Sequence, residues 1–329
     1  MTQPAHLTRR FFLQTTAAGA AATVAGLPAR AATSVNFQLS WLHSVQFGGS
    51  YIAANRGYWA EEGLDVSLSQ GGPNAPVEPP VVSGSALVGI SAADYTAAAV
   101  AQGAPFKIIA VAMQKNPFAI ASLDGNPVNV PADLIGKRIG MAVANTPVLQ
   151  AFCTLNSLDI NQIEIVPTQY DPAPLVSGQV DCLLCWATDL PVAMTVQGVG
   201  NTTMLMGDFG YALHSQTYIA TEDTIANRRA DLIALLRGEV RGWTDYVADT
   251  DAAAALTVEM FPDAGLDLET QKLQASLQVP LMFPDPAGAE GFGRFTADSV
   301  ASNIETLALL GQDVPADLWD PTLIEEAYS

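Results

Sequence analysis

Val81-Val82-Ser83-Gly84-Ser85-Ala86-Leu87-Val88 and Leu175-Val176-Ser177-Gly178-Gln179-Val180-Asp181-Cys182 are two versions of one local pattern. In each, an apolar helical turn stops at Ser-Gly, where glycine can take the left-handed conformation past a helix end, and a buried strand begins. Two copies of one βα turn in one chain predict two similar halves.

The surrounding sequence fits that reading. Before and after the first copy, short apolar runs alternate with amphipathic ones: strands at Val35–Ser40, Asp65–Ser69, Leu87–Ile90 and Phe106–Met113, with helices over 47–62, 75–83 and 92–102 between them. Around the second copy lie strands at Lys137–Val143, Glu164–Thr168 and Asp181–Cys185, with helices over 147–157, 172–177 and 190–197. Strands separated by helices point to an α/β fold with doubly wound, parallel sheets. A strand at Thr217–Thr221 is followed by helices over 228–248, 252–260, 268–277, 292–310 and 321–327, so the chain is expected to return to the first half and pack on it. The crossings are placed near Ser122–Asn126 and Leu213–Thr217, where apolar residues give way to Gly, Asn, Pro or Ser. The expected division is residues 32–122 with 218–329 in one lobe and 123–217 in the other.

The chain opens with Thr8-Arg9-Arg10-Phe11-Phe12-Leu13, an uncharged Ala-rich stretch to Leu27, and Ala29-Arg30-Ala31. In that order these read as a twin-arginine signal peptide over residues 1–31, with export to the periplasm. The stretch is shorter than the roughly 20 residues that cross a bilayer. Cys153 is the first cysteine, so no lipid-bearing thiol stands beside the cleavage site.

The chain has 329 residues, with 14 Lys and Arg against 33 Asp and Glu and a net charge of −19. Such a surface repels phosphate backbones and anionic headgroups, which excludes nucleic acid and membrane insertion from the expected partners. The three cysteines include Cys182 and Cys185 in CxxC spacing, but neither a second such pair nor a histidine pair accompanies them. With only His6, His43 and His214 in the chain, these thiols and Met204–Met206 read as strand core rather than as a metal or redox site. No cofactor is expected.

Ligands of open parallel sheets sit beyond the carboxyl ends of the strands. That rule selects Trp41, Gln46 and Phe47 after the first strand, Gly71 and Gly72 after the second, and Ser91 and Asp94 after the third. It selects Asn145, Thr146, Trp186 and Asp189 in the second half. Trp41 and Trp186, with Phe47 or Tyr95, would sandwich a flat ring. Gln46, Ser91, Asn145 and Thr146 would hydrogen-bond its heteroatoms, and Asp94 or Asp189 would pair with an amino group or protonated nitrogen. Helix amino termini at the same places would suit an anion instead. Structural roles compete: Trp41 as core, the two aspartates as helix caps, and Asn145-Thr146-Pro147 as a helix start.

Leu39-Ser40-Trp41, then Gln46-Phe47-Gly48-Gly49-Ser50-Tyr51-Ile52-Ala53, then Gly57-Tyr58-Trp59-Ala60-Glu61-Glu62-Gly63-Leu64-Asp65-Val66 carry a family resemblance. Gly71-Gly72, Ala101–Pro105, Met113–Phe118, Asp133–Lys137 and Leu175–Asp181 extend it over most of the chain. The sequence resembles the periplasmic substrate-binding proteins of ABC importers for thiamine-precursor pyrimidines, riboflavin, nitrate and sulfonates. The resemblance implies a two-lobed venus-flytrap fold of type II, a small ligand held between the lobes, and delivery to a permease and its ATPase by a monomeric carrier. A small aromatic nitrogen heterocycle is the favoured ligand; a nitrate- or sulfonate-type anion is the alternative. Relatives dedicated to the thiamine pyrimidine often carry histidine where this chain has Phe47. Pyrimidine-synthesising enzyme relatives carry a cysteine-rich iron motif that is missing here, so no catalysis is expected.

Overall fold

A computed structural model describes residues 32–72, 75–283 and 291–329. The expected signal peptide, residues 1–31, lies outside them. Ten strands form two five-stranded sheets. The first half supplies β1 (Thr33–Gln38), β2 (Leu64–Ser69), β3 (Val88–Ala92) and β4 (Phe106–Met113). The second supplies β5 (Phe118–Leu123), β6 (Arg138–Met141), β7 (Glu164–Pro167), β8 (Cys182–Trp186) and β9 (Asn201–Leu205), and β10 (Ser215–Thr221) returns to the first sheet. The orders are β2-β1-β3-β10-β4 and β7-β6-β8-β5-β9.

The two sheets share one plan. Three strands pair in parallel at one side, as β2-β1-β3 and β7-β6-β8. The fourth position runs antiparallel to both its neighbours, and it is the strand that has just crossed from the other half: β10 in the first sheet, β5 in the second. The sheets are therefore mixed rather than wholly parallel.

This corrects the expected first crossing. Phe118–Leu123 is a strand of the second sheet, and the crossing is the short segment 114–117 between β4 and β5. The Gly125-Asn126-Pro127 break that suggested a crossing is the turn after β5. The return strand already begins at Ser215 in the first sheet.

One core cluster packs the first sheet against helices Gly48–Asn55 and Arg229–Ala248, with Phe37, Tyr51, Trp59, Tyr218 and Trp243 buried in it. The two helices meet closely enough that a Cβ on Gly242 would lie 2.1 Å from the main-chain oxygen of Gly49, so no larger residue fits there without moving backbone. A second cluster spans both sheets, from Ile108 and Val111 to Ile139 and Phe152, and takes in Leu318 and Trp319 from the carboxyl-terminal segment. Gly57, at φ +72°, interrupts the single helix expected over 47–62 and divides it into Gly48–Asn55 and Tyr58–Glu61. Cys182 and Cys185 are free, buried and assigned to different clusters, and burial pushes the Cys182 thiol up to about 12. Among the described residues no helix is long and apolar enough to cross a membrane.

The first core encloses one carboxyl group. Glu239 accepts hydrogen bonds at one oxygen from Ser50 Oγ (3.0 Å), Trp243 Nε1 (2.9 Å) and the Tyr218 hydroxyl, while its other oxygen has no partner. Burial raises its pKa to about 7, although the three donors pull the other way. The folded value exceeds the unfolded one, so the neutral acid is the form the fold favours. Stability from this group is full below about pH 4.5 and falls as pH rises through 7, by on the order of 3 kcal/mol. Denaturant titrations at pH 5 and pH 8 should therefore show a smaller loss of stability with pH in Glu239→Gln than in the parent chain. Parallel losses in the two proteins would contradict the assignment.

Candidate functional site

The carboxyl ends of β1, β2 and β3 bring three loops together. Gln38 is buried at the end of β1 and donates from Nε2 to the main-chain oxygens of Leu39 (3.0 Å) and Ser69 (3.2 Å), which ties the end of β1 to that of β2. The loops then run so close that Gly71 N–H donates to Trp41 O at 3.0 Å, and a Cβ on Gly71 would lie 2.4 Å from Leu39 O. Gly71 is thus required by the protein's own backbone, which explains it without a ligand. Gly72, at φ +151°, continues the same turn. The Trp41 side chain beside them is 40% exposed, so its ring is not core.

Ser44 caps the turn Val45–Phe47, accepting from Gln46 N–H at 3.4 Å. The turn swings Phe47 inward, where it is 0% exposed and packs edge-on against Tyr51 with ring centroids 6.4 Å apart. In the described structure Phe47 is core and presents no face for stacking a ring. Gln46 is also buried, and its main-chain oxygen accepts from Gln216 Nε2 (3.4 Å) and Gln278 Nε2 (3.3 Å). His43, which the strand-end rule did not select, stacks on Phe261 at 3.8 Å and hydrogen-bonds the Tyr51 hydroxyl.

At the end of β3, Ser91 Oγ donates to Glu78 Oε1 at 2.5 Å. Asp94 stands in the first turn of helix Ala93–Ala101. Burial pushes its carboxyl above the usual range and the charge of Glu78 adds to the effect, while the Tyr95 N–H opposes it. Tyr95 is 66% exposed. The buried Tyr211, which follows β9, lies within electrostatic reach of Asp94 and Tyr95, and its hydroxyl has no hydrogen-bond partner. Tyr211 meets Phe118 edge-on at 6.3 Å, and Phe118 meets Trp186 edge-on at 6.4 Å. An aromatic row therefore runs along the end of the second sheet to the acidic end of β3.

In the second half, β8 ends at Trp186, half-buried, and Asp189 follows at the start of helix Leu190–Val196. Asp189 does not cap that helix through its side chain. Its Oδ2 accepts from the Tyr170 hydroxyl (2.9 Å) and its Oδ1 from Gln274 Nε2 (3.1 Å). Burial raises its pKa to about 6, against the pull of Tyr170. Tyr170 also accepts from Trp186 N–H at 3.3 Å. The strand-end rule applied to β7 would have selected Tyr170, which follows that strand as Trp186 ends β8. Asn145 precedes helix Thr146–Leu155 and makes no side-chain cap, whereas Thr146 Oγ1 donates back to Val143 O at 2.7 Å.

Among the described residues, the carboxyl ends of β1, β2, β3, β6, β7 and β8 carry Glu78, Asp94 and Asp189 and no lysine or arginine. Cations near the sheets are engaged elsewhere. Arg138, at the opposite end of its strand, pairs with Asp181 (2.9 Å), and Lys107 pairs with Glu222 and Asp317 at 3.4 Å each. Lys115, in the first crossing, pairs with Asp208. It borders a mainly aliphatic cavity of about 390 Å³ between helices Leu190–Val196 and Leu268–Met282, lined also by Ala187, Pro191, Asn201, Leu277 and Leu281.

Two matching α/β halves, joined by crossing strands and presenting strand ends to one another, define the two-lobed substrate-binding architecture. Residues 44–253 match the family described as NMT1/THI5 like, and the chain belongs to that family. It is 27% identical over 277 residues to the riboflavin-binding protein RibY of Chloroflexus aurantiacus, covering 80% of this chain and 78% of that one. It is 23% identical over 305 residues to the formylaminopyrimidine-binding protein of Halalkalibacterium halodurans, covering 90% and 89%. Its fold is similar to that of the periplasmic aliphatic sulphonate binding protein SsuA of Escherichia coli, with a TM-score of 0.68 at 15% identity over 85% of this chain and 92% of that one.

The two aromatic residues expected to flank a ring now have different predictions. Phe47→Ala should cost about 3–5 kcal/mol of stability, the usual loss for a buried phenylalanine. Trp41→Ala should stay within about 1 kcal/mol of the parent chain. Equilibrium denaturation checks both, and equal losses would contradict the placement of Phe47 in the core and Trp41 at the surface.

Proposed function

We propose that this protein is the non-catalytic substrate-binding component of an ABC importer, working in the periplasm, and that its ligand is a small nitrogen heterocycle, neutral or cationic. The observation that carries the ligand class is the charge of the strand ends. Glu78, Asp94 and Asp189 stand there with the aromatic rings of Trp41, Tyr95, Tyr170 and Trp186, while Arg138 and Lys107 lie at the opposite strand ends and Lys115, in the first crossing, is paired with Asp208. A sulfonate or nitrate brought to these carboxylates would meet like charge in a partly desolvated space, which is costly. A ring amine or protonated ring nitrogen would meet acceptors, and its flat faces would meet aromatic side chains. The relatives named for riboflavin and formylaminopyrimidine are consistent with that chemistry.

In this reading Trp186 and Trp41 supply ring faces, Asp94 accepts from the ligand, and Ser91, Gln46, Asn145 and Thr146 lie within the loops that complete the site. Gly71 and Gly72 shape the loop beside Trp41. A permease with its ATPase would receive the loaded carrier, which acts as a monomer. Export through the twin-arginine pathway rests on Arg9-Arg10 and the stretch that follows them.

A thermal-shift screen should show stabilisation by aminopyrimidines or flavins and none by taurine or nitrate. Occupancy at a hundredfold excess over Kd corresponds to about 2.7 kcal/mol. Asp94→Asn should then weaken binding of the stabilising compound by roughly ten- to a hundredfold, the scale of a hydrogen bond to a charged group, and Trp186→Ala by roughly tenfold. Stabilisation by anions alone would refute the ligand class.

A further inference from the structure

Helix Leu268–Met282 carries Gln271, Gln274 and Gln278, spaced i, i+3 and i+7 and so aligned on one face. All three are buried, whereas Leu277 on the same helix is substantially exposed. A buried carboxamide is costly unless it is hydrogen-bonded, so a buried glutamine stripe is a poor packing surface and needs another explanation.

The hydrogen bonds supply one. Val45 N–H donates to Gln271 Oε1 at 2.7 Å, Gln271 Nε2 donates to Gln274 Oε1 at 3.3 Å, and Gln274 Nε2 donates to Asp189 Oδ1 at 3.1 Å. The row continues on the second half, where the Tyr170 hydroxyl donates to Asp189 Oδ2 and accepts from Trp186 N–H. Five hydrogen bonds thus run from the Val45–Phe47 turn beyond β1 to the end of β8. Gln278 and Gln216 hold the same turn from behind through the oxygen of Gln46. Gln216 does so from a β-bulge at φ +47°, a left-handed conformation that a non-glycine residue adopts at a cost, at the point where the chain returns to the first sheet.

We propose that this glutamine stripe is a closure strap, in which Gln274 is the positioning residue that couples the ligand-facing turn of one half to Asp189 of the other. The strap rests on the reading of the strand ends as a ligand cleft and deepens it. Asp189 is assigned to holding the halves together, which leaves Asp94 as the carboxylate for the ligand. Behind the Val45–Phe47 turn, the side-chain oxygens of Gln216 and Gln278 are buried without partners.

The test needs no ligand. Spin labels on Val82→Cys and Val176→Cys, exposed positions on opposite halves, would report the distance between them by pulsed electron double resonance, since the three native thiols are buried. The otherwise unaltered chain should show a dominant short distance. Gln274→Leu should shift the ratio of short to long distances by roughly ten- to a hundredfold toward long, as expected for losing a hydrogen bond to a carboxylate. Asp189→Ala should act in the same direction, and Asp189→Asn, which keeps an acceptor for Gln274, should restore most of the short population. If Gln274→Leu fails to fold, the two Asp189 variants decide. Distance distributions that match in all folded variants, or an Asp189→Asn chain as open as Asp189→Ala, would overturn the strap. A failed heterocycle screen leaves this measurement unaffected, and an unresponsive distance leaves the ligand class standing.

Discussion

The structure depends on a constraint of strand order: in each sheet, the strand that has just crossed from the other half lies antiparallel in the fourth position. β5 must start beside the end of β8, and β10 beside the end of β3. Both crossings therefore leave and arrive at the carboxyl ends of the parallel strands, and the two sets of strand ends are brought toward each other. The segment 114–117 and the stretch from Phe209 to His214 have little choice of path once those two strands are paired. Everything else follows: the acidic end of β3 comes within reach of Tyr211, and the end of β8 comes within reach of helix Leu268–Met282.

Charge then decides what the shared space can hold. The chain is acidic throughout, so carboxylates at the strand ends would mean little alone. Their meaning comes from the pairing of the few cations: Arg138 with Asp181 and Lys107 with Glu222 and Asp317 at the opposite strand ends, Arg241 with Glu61 on an outer helix, and Lys115 in the first crossing with Asp208. Asp94 and Asp189 are both pushed up by burial, which marks places where a negative charge is poorly solvated and where a donor or cation is welcome.

Much of the fold was legible because burial leaves a periodic trace. The echo of Val81–Val88 in Leu175–Cys182 marks equivalent positions in the two halves, a helix end followed by the start of β3 or of β8, and all eight expected strands exist. Phe118–Leu123 escaped because the true crossing is only four residues long, and the Gly125-Asn126-Pro127 turn beyond the strand is the stronger break in the sequence. Site residues were less legible. The strand-end rule chooses positions but not side-chain directions: it selected Trp41 and Phe47 alike, yet the Ser44-capped turn buries Phe47 while Trp41, in the loop before it, is exposed. It selected Gly71 as a ligand contact, whereas the close approach of the Leu39 and Ser40 backbone already accounts for that glycine. The stripe of Gln271, Gln274 and Gln278 looks like a solvated helix face, because nothing local in a sequence distinguishes a polar face in water from one that is buried and hydrogen-bonded.

The most direct test of the whole account is a crystal structure of the protein with the compound that stabilises it most. The account predicts density between the two sets of strand ends, with the ligand touching Asp94 on one side and Trp186 on the other. A ligand bound to one half alone, or seated in the aliphatic cavity beside Lys115, would contradict it.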